Sequence, residues 1–227
     1  MRVKLEAVLV GQAAPLAETP HLSGIHKTPV ATPLWLSTEG LAGDEQADRR
    51  VHGGPEKAVH HYPREHYRHW REYLGPLPLL DSPGAFGENL STTGLTEEHV
   101  CVGDVFELGE AVVQVSQGRQ PCWKLNARLG HKGAARLMQD MGKTGWYYRV
   151  LKPGFVTGGD ELVLVDRPEP DWPLSRVMGL LFRRDPGLAA AWAAAAELAP
   201  LAESWKRTFR RRIETGAVED WSKRLEG

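Results

Sequence analysis

Cysteine is scarce in this sequence: two residues, Cys101 and Cys122, in a chain of 227. They form no C-x-x-C pair, which speaks against a disulfide framework and against a zinc site built from thiolates. Charge of one sign is not in excess either. Twenty-eight Lys and Arg stand against 29 Asp and Glu, for a formal charge of -1. The basic surplus of a nucleic-acid binder is therefore missing. No run reaches the roughly 18 apolar residues that would span a membrane. The least polar stretch, 187–201, is alanine-rich and broken by Glu197 and Pro200. Residues 1–10 alternate charged with apolar side chains and lack the apolar core of a secretory signal. The expectation is a cytoplasmic protein without a membrane or nucleic-acid partner. Also absent are the Walker spacing, an H-E-x-x-H pair and a dinucleotide-binding glycine fingerprint.

Hydrophobic residues make up 41% of the chain, enough for an ordinary core without covalent staples. Up to about residue 166 the pattern is mostly that of strands. Val3, Leu5 and Ala7 alternate with Arg2, Lys4 and Glu6. Further strands are expected at 58–62, 102–108, 111–116, 145–150 and 161–165. Gly109-Glu110, between two of these runs, fits a type II′ hairpin. Helices are expected at 64–73, after Pro63, and at 133–141, where Ala134, Leu137, Met138 and Met141 share a face. Many short strands with few helices argue for a mainly β, barrel-like domain over 1–166. The segment Arg167-Pro168-Glu169-Pro170-Asp171 marks a change of composition. Beyond it the period is helical. Asp185-Pro186 is a helix start, and Leu198, Leu201, Trp205, Phe209 and Ile213 form one apolar face that Gly216 ends. Residues 172–227 read as a small three-helix domain. The basic run Lys206, Arg207, Arg210, Arg211, Arg212 reads as its solvated face, or as a docking surface for an acidic protein.

Four segments carry the residues suited to chemistry. Cys122 lies in Ser116-Gln117-Gly118-Arg119-Gln120-Pro121-Cys122-Trp123-Lys124, a polar loop with Arg119 and Lys124 on either side. Nearby cations favour the thiolate, which attacks electrophiles and binds soft metals. Pro121 restricts the backbone that aims the sulfur. Cys101, between two valines, reads instead as a small buried hydrophobe. In Gly40-Leu41-Ala42-Gly43-Asp44 and Val51-His52-Gly53-Gly54-Pro55-Glu56-Lys57, glycine N–H groups and an ammonium could converge on an anion. A plain turn fits the same residues. Phe86-Gly87-Glu88-Asn89-Leu90-Ser91 is dense in donors and acceptors, and suits either recognition of a heterocycle edge or capping of its own turn. In 142–150, Lys143 and Arg149 could meet a phosphate, or simply flank an edge strand. Histidines 60, 61, 66 and 69 cluster, but without a recognised metal spacing.

Together these segments resemble the MOSC domain, the module related to the C-terminal part of molybdenum-cofactor sulfurases, and most closely its YiiM-like branch. Residues 40–44, 51–57, 61–67, 86–91, 116–125 and 145–146 carry the resemblance, in the family's order. One departure is Gly118, which stands where the family pattern has proline before the Pro-Cys pair. The resemblance implies a MOSC-type β-barrel followed by a three-helix domain, and a pocket for the pterin dithiolene of Mo-molybdopterin. By position it makes Cys122 the molybdenum ligand. It places His52, Gly53, Gly54 and Lys57 on one wall, and Phe86, Glu88 and Asn89 against pterin or substrate. Arg119, Lys124 and Arg149 would balance the cofactor's negative charge. The activity implied is reduction of N-hydroxylated substrates, such as hydroxylaminopurines and hydroxylamines, as a detoxification, with Glu88 or His52 as proton donor. Pyridoxal phosphate binding is attached to the family only in general terms. With no iron–sulfur cysteine cluster and no dinucleotide motif in this chain, electrons would come from a separate flavin or iron–sulfur reductase. Two other readings use the same residues: a non-catalytic carrier of the cofactor or of a persulfide on Cys122, and a cysteine hydrolase pairing Cys122 with a histidine.

Overall fold

The architecture is taken from a computed structural model that describes residues 1–17, 19–48 and 52–227. Val51 therefore lies outside the described residues. Seven strands close into a barrel: β1 (Arg2–Val10), β2 (Val59–Pro63), β3 (Leu90–Thr92), β4 (Val105–Leu108), β5 (Ala111–Gly118), β6 (Trp146–Lys152) and β7 (Glu161–Asp166). Their order around the barrel is β1-β3-β2-β6-β5-β4-β7, and β7 returns to β1 through Arg2↔Val163 and Val3↔Leu162. Closure leaves no bare edge between the first and last strands. Only β2 and β3 run parallel. A parallel neighbour requires a crossover, and helix α1 (His66–Leu74) with the loop after it supplies one. Gly109 takes φ +56° at the first position of the β4–β5 turn, as a type II′ turn needs.

The strand expected at 102–108 begins only at Val105. Before it the chain turns, because the buried Asp104 carboxylate accepts the Cys101 N–H at 2.9 Å and Arg167 grips both its oxygens. Cys101 is buried, as expected of it. The helix expected from 64 starts at His66, since Arg64 and Glu65 form a turn that caps Tyr67 and Arg68.

Helices α2 (Lys124–Leu129) and α3 (Ala134–Met141) lie between β5 and β6. After β7 come α4 (Leu174–Phe182), α5 (Ala189–Ala196), α6 (Glu203–Thr215) and a short α7 (Ser222–Glu226). Residues of α4, α5 and α6 join the same apolar cluster as the barrel interior: Val177, Met178, Trp192, Trp205 and Phe209 pack with Phe106, Val115 and Trp146. Gly118 makes this approach possible. A Cβ on it would stand 2.7 Å from Met178 and 3.1 Å from Trp205. One expectation for this region needs correction. Arg212 is not solvated. It is 1% exposed, donates to the Leu180 and Leu181 carbonyls, and forks onto Glu219 at 2.7 and 2.9 Å. The three expected helices are α4, α5 and α6, and the short α7 follows them. Trp221 and Leu225, at α7, leave the main cluster and pack in a second one with Leu125, Leu129 and Met138. The tail thus turns back onto the element that carries the cysteine loop. No helix of the described residues is long and apolar enough to cross a membrane.

Candidate functional site

Strand β5 delivers the cysteine loop. Gly118 still pairs with Trp146 of β6, and the next residue, Arg119, donates its N–H to the Gly145 carbonyl at 2.9 Å. Gly145 has φ +72°, and a side chain there would collide with the His61 carbonyl. The loop ends where Leu125 N–H closes on the Cys122 carbonyl at 2.9 Å and α2 begins. Cys122 is thereby held, half-buried, between a strand and a helix.

The sulfur faces cations and a histidine. His52 Nε2 lies 3.6 Å from Cys122 Sγ. Burial, and next the positive charges of Lys124, Lys57 and Arg119, push the His52 pKa down to about 4, so the ring is neutral at pH 7. Lys57, on the tight turn Pro55–Lys57, holds its ammonium 5.9 Å over the Tyr147 ring. Burial lowers its pKa, and the neighbouring Cys122 works against that lowering. Arg119 is almost fully buried and donates to the Phe86 carbonyl at 2.8 Å.

Cys122 lies where two recesses meet, and it lines both, together with His52, Lys57, Lys124 and Tyr147. The first runs under Lys27, Asp44, Phe86, Asn89 and Arg119; the second passes Gln117, Trp123, Lys223 and Arg224. The first recess is small, about 80 Å³, and the second is about 790 Å³. Only the second has room for a ligand of cofactor size.

The structure therefore brings together His52, Lys57, Arg119, Lys124 and Cys122. It assigns other work to several residues expected beside them. Glu88 is fully buried with its carboxylate spent on its own loop: it accepts from Gly84 N–H at 2.7 Å, Phe86 N–H at 3.0 Å and the Tyr67 hydroxyl. It lines neither recess, which corrects its expected place as a proton donor. The Phe86 ring is sealed among Tyr62, Tyr67 and Trp70, with centroids 4.3 to 5.2 Å away, so only its surroundings and carbonyl reach the site. Asn89 borders the first recess, but its amide ties the walls together. It accepts from His60 N–H and donates to the Leu9 carbonyl and to Asp44. Arg149 points away, forked onto Glu56 and bonded to Gln114 and the Pro200 carbonyl. Gly53 and Gly54 lie off both recesses, and Gly54 opens the turn that presents Lys57. Sequence reasoning missed Lys27. It is 8% exposed and paired with Asp44 on the wall of the first recess. Its partner lies in a motif already noted, but an isolated lysine between histidine and threonine carried no signal of its own.

Residues 48–163 match the MOSC domain model, and residues 172–216 match the YiiM-like 3-alpha helix domain. Protein YiiM of Escherichia coli strain K12 is 45% identical over 90% of this chain and 91% of its own length. This chain belongs to the YiiM-like branch of the MOSC family. A second relative in the branch, the uncharacterized protein YflK of Bacillus subtilis, is 46% identical over 82% of this chain and 83% of its own. A protein of Gibberella moniliformis named "Reductase" is 41% identical over 73% of this chain and 30% of its own length. Among solved structures, that of YiiM from Escherichia coli superposes with a TM-score of 0.83 at 38% identity and covers both chains fully. YiiM from Geobacillus stearothermophilus gives 0.79 at 34%, covering 93% of this chain and 99% of its own. The MOSC match contains all five residues gathered around the sulfur, whereas Lys27 and Asp44 precede it and α7 follows both matched segments.

Proposed function

We propose that this MOSC protein is a molybdenum-cofactor-dependent reductase of N-hydroxylated compounds, with Cys122 as the protein ligand to molybdenum. The carrying observation is the position of one sulfur, at the junction of two recesses and ringed by Lys57, Arg119 and Lys124. The side chains fit the group. A soft thiolate suits a pterin-bound molybdenum, and buried cations suit dithiolene and phosphate charge. Among the described residues no three His, Cys, Asp or Glu side chains are placed to hold a metal, so a metal on Cys122 needs further ligands from the group that carries it. His52 Nδ1 is buried without a partner among the described residues, as an atom awaiting a ligand would be.

When bound, the cofactor would supply the two-electron centre that takes the oxygen of the N–O bond. The chain's residues do the rest. Lys57, Arg119 and Lys124 hold anionic groups beside the sulfur. Tyr147 and Trp123 offer aromatic faces along the second recess, where a purine ring can stack. Departure of water needs a proton, and His52 is the group placed to pass it. A neutral imidazole takes a proton at one nitrogen and releases one from the other. Electrons then come from a separate flavin or iron–sulfur reductase. The Cys122–His52 contact also favours a metal-free cysteine hydrolase, but among the described residues no third group bonds His52 Nδ1 to orient the base as in such dyads.

Turnover of an N-hydroxylated purine by the cofactor-loaded protein, driven by a chemical reductant, tests the reading. Amine formed by the wild type and lost in Cys122→Ser supports it. Bound cofactor without amine formation makes the protein a carrier instead, and burst hydrolysis of esters without molybdenum makes it a hydrolase.

A further inference from the structure

The residues on either side of Cys122 are both held by one side chain and backbone from the far end of the sequence. Arg224 donates through one guanidinium nitrogen to the Pro121 carbonyl at 2.5 Å. Its own carbonyl accepts the Trp123 N–H at 2.8 Å. The other guanidinium nitrogen donates to Gln139 Oε1 of α3 at 2.5 Å. Arg224 thus brackets the cysteine before and after, and braces that bracket on a neighbouring helix. The rest of α7 is fastened to the same place. Asn126 donates to the Leu225 carbonyl at 2.8 Å, Arg136 pairs with Glu226 at 2.8 Å, and Leu225 is fully buried. Arg224 also borders the second recess with Cys122. Neither matched family segment reaches α7.

The geometry points to α7 as a clamp on the cysteine loop, with Arg224 the positioning residue that fixes where the sulfur sits. The loop needs such a clamp. Pro121 has no N–H to give, so its carbonyl is the one backbone group by which that residue can be anchored. Apart from Arg224, the segment is tied at its start by Arg119, to the Gly145 and Phe86 carbonyls, and at its end by the Leu125 and Asn126 N–H groups that close on Cys122 and Trp123, with His52 against the sulfur. A metal ligand displaced by about 1 Å forfeits much of its affinity, so a clamp on the loop acts on loading and turnover through the position of the sulfur. This inference rests on the reading of Cys122 as metal ligand, but half of its test does not.

Arg224→Ala and Arg224→Lys are compared with wild type as full-length proteins. Hydrogen exchange of the cofactor-free forms is read in the peptide spanning 119–125. Arg224→Ala should speed exchange there by about tenfold or more, the loss of one or two net hydrogen bonds, while peptides from β1, β4 and β7 are unchanged. Molybdenum per chain, after expression in a cofactor-producing host, should fall at least about fivefold at an unchanged thermal midpoint of the barrel. Arg224→Lys keeps one donor for Pro121 and should restore at least about half of the loading. Unchanged exchange in 119–125 overturns the clamp. So does loading that drops only in step with global stability and is not rescued by lysine. If exchange rises as expected and molybdenum does not change, the clamp holds a loop that does not ligate the metal, and it is the ligand reading that fails.

Discussion

His61 offers a test of how the barrel tolerates polar groups beside the site. It projects from β2 into the interior, fully buried, with Nδ1 sharing a hydrogen bond with the Tyr148 hydroxyl at 3.1 Å and Nε2 one with Thr92 Oγ1 at 2.8 Å. Burial, and next the neighbouring His66, push its pKa down to about 3 from an ordinary 6.5. Between those values the unfolded chain binds a proton at this position and the folded chain does not. Acid in that window therefore favours unfolding, and stability from this group is complete above pH 6.5 and lost as the pH falls. At up to about 1.4 kcal/mol per pH unit, lowering the pH from 6.5 to 4.5 costs about 2 kcal/mol through His61 alone, a sizeable share of a typical folding free energy. The perturbation is His61→Gln, which keeps a donor and an acceptor but does not titrate. At pH 7 the variant should be less stable by about 1–3 kcal/mol, because its amide cannot reach both hydroxyls. At pH 4.5 the gap should close or reverse. Urea unfolding at the two pH values, followed by tryptophan fluorescence, reads the difference directly, since His60 and the carboxylates titrate equally in both proteins. Parallel losses in wild type and variant would refute the assignment of this acid sensitivity to His61.

Two further outcomes follow from buried ionic groups. Arg212→Met should destabilise the protein by about 3–5 kcal/mol in denaturant melts, because Glu219 and two carbonyls lose their donor together; a change under about 1 kcal/mol would mean that the guanidinium does not hold α6 to the turn at Glu219. Glu88→Gln should lower stability by about 1–3 kcal/mol by breaking the loop cap, while turnover per molybdenum stays within about tenfold of wild type. A stable, fully loaded Glu88→Gln protein that had lost turnover would restore Glu88 as the proton donor.

Strands β2, β5, β6 and β7 were readable because alternation and glycine or proline punctuation are local signals. The return of β7 to β1 was not, since nothing near residue 2 announces a partner near residue 163. The turn ahead of β4 was hidden for the same reason: it exists because Arg167 reaches Asp104 across 63 positions. Arg212 looked solvated among five basic residues on one helix, and only the neighbouring helices make it the buried one. At the site, the cationic setting of Cys122 could be seen in Arg119 and Lys124, its neighbours in sequence. Glu88, Phe86 and Arg149 carry the right functional groups, but the direction of a side chain is set by backbone turns that composition does not reveal. Lys27 and Arg224 reach the site from distant segments and left no local trace.

If the Cys122 sulfur ligates molybdenum, the metal content of the protein must depend on it. Wild type and Cys122→Ser are purified from a host that makes the cofactor, and molybdenum per folded chain is measured by mass spectrometry. The wild type should carry metal and the serine variant at least about tenfold less, because its harder hydroxyl is a poor substitute for a thiolate. Equal molybdenum in both proteins, at equal thermal stability, would contradict it.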